Sequence, residues 1–145
     1  MNNQRIMKDQ NYYHTFSEVA DDCPVKTAEI PIQKSDEKSV PFLQYELIAN
    51  HPYENSQEDI LFTVFAIRNH INEQDLAKER EKFFSKGQPC LRSSSLGKRY
   101  GWGIHCNELG KVALFARESV EYQKLSKDKS IKHVKAMNSK RKKGI

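Results

Sequence analysis

Two runs of sheet-forming residues, Tyr100–Cys106 and Lys111–Ala116, flank the short connection Asn107-Glu108-Leu109-Gly110. A glycine in so short a link lets the chain reverse, so this segment predicts an antiparallel hairpin. A hairpin rules out a purely parallel β-α-β architecture, and the rest of the chain does not follow a β-α-β rhythm either. Tyr12–Val19 alternates loosely in aromatic and β-branched residues and reads as a strand ended by Asp21-Asp22-Cys23-Pro24. Val25–Lys38 reads as an extended loop, with Ile30-Pro31-Ile32 tucked against the core. Ser39 can cap a helix with Pro41 in its first turn, and His51-Pro52-Tyr53 stops it. Ser56-Gln57-Glu58-Asp59 looks like a short capped turn. The near-continuous apolar run Ile60–Ile67 then reads as a strand buried on both faces, with a core helix as the alternative. Asn72 caps a helix carrying Leu76, Arg80, Phe83 and Phe84, which Gly87 and Pro89 terminate. Ser119 caps a helix through Leu125, and Ile131–Met137 forms a last strand or a helix.

The expected fold is therefore a single α+β domain over residues 11–137, with an antiparallel or mixed sheet of about four to five strands and helices packed on one face. Residues 1–10 read as a disordered N-terminus and 138–145 as a basic C-terminal tail. A chain of 145 residues suits one domain and can bury roughly 70% of the surface exposed when unfolded. No apolar run approaches the ~20 residues of a membrane span, and the polar start lacks the core of a signal peptide, so the expected location is cytoplasmic, with no membrane partner. The three cysteines, Cys23, Cys90 and Cys106, form no Cys-x-x-Cys pair, which argues for reduced thiols rather than a disulfide framework or a zinc finger. His14, His51, His70 and His133 are scattered singly, so no metal is expected, and no motif calls for a cofactor.

Charge is divided unevenly along the chain. Residues 1–81 hold eight Lys/Arg and fifteen Asp/Glu, a net −7, whereas residues 82–145 hold sixteen and four, a net +12. No acid interrupts Lys82 to Asn107, and within that stretch Lys86, Arg92, Lys98 and Arg99 accompany Tyr100 and Trp102. Guanidinium groups offer a planar fork to phosphate, and aromatic faces can stack a base. Ser93, Ser94 and Ser95 add donors and can open a helical turn. These six basic and aromatic residues predict a binding module for an anionic partner, either a phosphorylated small molecule or a nucleic acid, with the tail Lys140–Lys143 touching phosphates.

Two alternatives stand beside it. In an enzyme, Cys90, just past a helix end, would be the nucleophile and His105 its base; His105 and Cys106 cannot share a site, because neighbours on a strand face opposite ways. In a self-association protein, the acidic half of one copy would meet the basic half of another, although the sequence does not specify an oligomeric state. The adjacent acids Asp21-Asp22, Asp36-Glu37 and Glu58-Asp59 lie in turn-like settings where they stay solvated or cap a helix. There is no Walker loop and no Gly-x-Ser-x-Gly elbow, and Gly101-x-Gly103 lacks the third glycine of a dinucleotide fingerprint.

Phe83-Phe84-Ser85-Lys86-Gly87-Gln88-Pro89-Cys90, Lys98-Arg99-Tyr100-Gly101-Trp102-Gly103-Ile104-His105 and Gly110-Lys111-Val112-Ala113-Leu114 carry a family likeness. Tyr12-Tyr13, Cys23-Pro24, Glu29-Ile30-Pro31, Pro52-Tyr53 and Lys132–Met137 extend it in matching order over nearly the whole chain. On these residues the chain resembles an uncharacterised family of small, mainly bacterial proteins known as a domain of unknown function. The family pattern has proline at the position of Ser95 and arginine at that of Asn138. The resemblance implies no activity, cofactor or catalytic residue.

Overall fold

The predicted hairpin lies within a four-stranded sheet of order β3-β2-β1-β4, formed by β1 (Thr15–Glu18), β2 (Trp102–Cys106), β3 (Val112–Ala116) and β4 (Lys132–Lys135). Strand β1 is antiparallel to β2 and parallel to β4, so the sheet is mixed. This computed structural model describes residues 9–33 and 35–139; most of the expected disordered start and basic tail lies outside them. Gly110, at φ 77°, supplies the left-handed residue that the hairpin turn requires. Ile131–Met137 resolves as a strand, paired to β1 through Lys132 N–H on His14 O (2.7 Å) and Ala136 N–H on Glu18 O (2.8 Å).

Among the described residues, five α-helices accompany the sheet: α1 (Val40–Ala49), α2 (Gln57–Arg68), α3 (Leu76–Phe84), α4 (Ser95–Lys98) and α5 (Val120–Lys127). Ser39, Ser94 and Ser119 each accept a backbone N–H of the first turn, as N-caps do. Asn72 makes no such bond, and α3 begins instead from a 3-10 turn over Glu73–Asp75.

The main correction concerns Ile60–Ile67, which is helix rather than strand. Ser56 and Asp59 form a reciprocal capping box: Ser56 Oγ accepts Asp59 N–H, and the Asp59 carboxylate accepts Ser56 N–H. Such a cap contributes about 1 kcal/mol and commits the following residues to helix. The apolar run is continuous because α2 is covered on two sides. Ile60 and Val64 face the sheet core, whereas Phe62 and Phe65 pack on Phe83 of α3 with ring centroids 5.7 and 4.7 Å apart. Arg80 reinforces this joint with an ion pair to Asp59 (3.0 Å) and by lying over the Phe62 and Phe84 rings.

The sheet separates two apolar clusters. Ile104, Cys106 and Val112 project into the larger one, with residues of α1, α2 and α4. From the opposite face Phe16 meets Tyr122 of α5, with edge-to-face rings 5.0 Å apart. Thus α5 departs from the expectation of helices on one face. In the loop before α1, Pro31 is fully buried but Ile30 and Ile32 are exposed, so the proline and not the isoleucines anchors that segment. Among the described residues, no helix is long and apolar enough to cross a membrane.

Candidate functional site

The six basic and aromatic residues singled out from the sequence are engaged in different ways. Arg92 donates from Nε to Lys135 O (2.6 Å), and its own carbonyl accepts Met137 N–H (2.8 Å). It thereby covers the outer edge of β4. Trp102 packs on Tyr45, and its indole N–H is taken by Glu29 O at 2.8 Å. Tyr100 offers its backbone carbonyl to Glu29 N–H. Lys86 lies beyond α3, whereas Lys98 and Arg99 close α4. No hydrogen bond or ion pair among the described residues engages these three cationic side chains.

Cys90 and His105 lie on opposite sides of the sheet. Cys90 directly precedes Leu91, a member of the large cluster, while His105 projects from the face opposite Cys106. The imidazole Nδ1 of His105 is 2.8 Å from the Tyr53 hydroxyl. Burial pushes the imidazole below its ordinary value, and burial followed by the nearby Cys106 pushes the Tyr53 phenol up. Both shifts favour the neutral rings, which share this one hydrogen bond with the donor set by the imidazole tautomer. Tyr53 sits at φ 60°, a left-handed backbone that costs a non-glycine residue on the order of 1 kcal/mol. Its N–H on Val112 O (2.9 Å) holds it there, against the edge of β3.

What the fold gathers is a different set. The segment Gln88–Ser95 runs alongside α1 and the C-terminal half of α2, leaving a cleft of about 410 Å³. Leu61, Val64 and Phe65 form an apolar wall, and no carboxylate lines it. Gln44, only 5% exposed, forms part of the floor. The Ser94 hydroxyl accepts Leu96 N–H (3.1 Å) and donates to Gln44 Oε1 (2.6 Å). That bond fixes the amide orientation. Gln44 Nε2 makes no hydrogen bond among the described residues and is not sealed from solvent, so it opens toward the cleft. Ser95 Oγ, on the same lining, has no partner among the described residues either. At the rim, Arg68 is steadied by donation from Nη1 to Lys38 O at 3.1 Å.

Cys90 also lines this cleft and is half-buried. Tyr12 donates from its hydroxyl to Cys90 Sγ at 3.3 Å. Burial first, and then the thiol itself, push the Tyr12 phenol up, so it remains a protonated donor. The other two thiols are placed differently. Cys23 packs with the Phe16 cluster, and burial pushes Cys106 up to about 12. Among the described residues, no three His, Cys, Asp or Glu side chains are grouped to hold a metal ion.

A family profile matches residues 7–142, nearly the full chain. The chain belongs to the family of unknown function DUF6157. Comparison with curated proteins found no match, and comparison with solved structures found none. Within this DUF6157 chain, the sequence had marked Cys90 and the serine run, both of which line the cleft. It had not marked Gln44, Tyr12 or Arg68. Gln44 lies in an ordinary apolar helix, and its role arises only from Ser94, fifty residues away.

Proposed function

We propose that this chain is a cytoplasmic, non-enzymatic module that binds a small anionic ligand, with carboxylate or phosphate oxygens, in the cleft between α1, α2 and Gln88–Ser95. The observation that carries this reading is the buried Gln44 amide, whose carbonyl is committed to Ser94 while its donors open toward the cleft. Nε2 keeps contact with solvent, so an acceptor oxygen would take the place of water there and, if charged, make the stronger charge-assisted bond. The cleft volume falls in the usual range for small ligands. Ser95 Oγ adds a second donor, Arg68 adds positive charge at the mouth, and the absence of carboxylates spares an anion repulsion. Leu61, Val64 and Phe65 suit an apolar body on the same ligand. Arg92 and Trp102, already engaged by backbone carbonyls, have no part in this site.

Thermal-shift screening of carboxylates and phosphate monoesters against matched neutral amides and alcohols tests the proposal. A ligand at a hundred times its Kd stabilises by about 2.7 kcal/mol, or roughly 8 °C at this size. Gln44→Leu should abolish the shift while preserving the fold, and Arg68→Ala should weaken it. Equal shifts in wild type and Gln44→Leu, or a preference for neutral compounds, would refute the proposal.

A further inference from the structure

We infer that Cys90 is a thiol–disulfide exchange site within the same cleft, taking a small carboxylate-bearing disulfide and closing the cleft to its ligand. This inference rests on the cleft being an anion site. Two independent features meet there. Cys90 is the one cysteine on the lining, half-buried rather than sealed, with Tyr12 donating to its sulfur at 3.3 Å. Gln44, nine-tenths buried, presents its unpartnered Nε2 to the same space. A disulfide whose carboxylate accepts from Gln44 and approaches Arg68 would bring its sulfurs to the lining that holds Cys90.

In the exchange, Cys90 loses its proton to solvent and its thiolate attacks one sulfur of the small disulfide. A new S–S bond forms, the original one breaks, and the other half leaves as a thiolate that takes up a proton. No further oxidant is required, and a small thiol reverses the step. Cys23 and Cys106 do not compete. Cys23 packs against the second cluster, with its thiol toward Val25 O at 3.9 Å, and Cys106 is buried at the sheet. The bound half-molecule would fill the cleft covalently, so binding of the anionic ligand would become redox-dependent.

The test uses the folded full chain with three probes: oxidised glutathione, neutral bis(2-hydroxyethyl) disulfide and cationic cystamine, read by intact mass and peptide mapping. The expected result is a single adduct at Cys90, absent in Cys90→Ser and reversed by dithiothreitol. Oxidised glutathione should react about tenfold faster than the neutral probe, the scale of one charge-assisted hydrogen bond, and in Gln44→Leu the two probes should react at equal rates. No adduct, an adduct at Cys23, or equal rates for all three probes would overturn the inference. If the reduced chain still shows carboxylate thermal shifts in that case, only the exchange reaction fails. If the reduced chain shows no shift, the anion cleft fails with it.

Discussion

The bond between Ser94 and Gln44 invites a double-mutant cycle. Ser94 is 7% exposed and Gln44 5%, so neither group reaches water freely. Ser94→Ala removes two things: the cap on Leu96 N–H, worth about 1 kcal/mol, and the donor to Gln44 Oε1, worth about 1–3 kcal/mol for a buried acceptor left unpaired. The single variant should therefore lose about 2–4 kcal/mol. In a Gln44→Leu background no acceptor is left to orphan, and Ser94→Ala should cost only the cap, about 1 kcal/mol. The coupling between the two positions is then about 1–3 kcal/mol. Urea denaturation of the four proteins measures it, provided that the m-values agree. Additivity within about 0.5 kcal/mol would show that the bond does not organise the cleft floor, and would remove the reason for Gln44 Nε2 to face a ligand.

Three other outcomes follow from the packing. Gly103→Ala would place a Cβ 2.6 Å from the Tyr122 ring and 2.7 Å from Phe16, and should destabilise by about 1–3 kcal/mol; Gly87→Ala, with nothing within 4 Å, should stay within about 0.5 kcal/mol, both read by urea melts. Because burial lowers His105, the unfolded chain binds its proton more readily, so this residue's contribution to stability is present above its ordinary value of about 6.5 and is lost as pH falls toward the folded value. An NMR titration should find His105 below that ordinary value, and Tyr53→Phe, which removes the hydroxyl on Nδ1, should move the midpoint; an unchanged midpoint would contradict the bond. Cys106, pushed up to about 12, should resist iodoacetamide at pH 8 in the native chain and react once urea unfolds it; native labelling would contradict its burial.

The sequence by itself determined what residues close along the chain can encode. The hairpin about Gly110, the caps at Ser39 and Ser119, and the helical turn within the serine run each depend on groups no more than a few positions apart, and each is present. The opposed directions of His105 and Cys106 follow likewise from strand geometry. Ile60–Ile67 escaped because a segment covered on two sides shows no clean periodicity, and only its packing between the sheet and α3 decides for helix. Arg92 and Trp102 each commit one N–H to a distant carbonyl, Lys135 O and Glu29 O, and nothing nearby in sequence reveals it. Tyr53 meets His105 across 52 positions, and Ser94 meets Gln44 across fifty. Those partnerships are products of the tertiary fold: a side chain's chemistry is set by its residue type, but whether its donor is spent on the protein or left for a ligand depends on which distant backbone is folded against it.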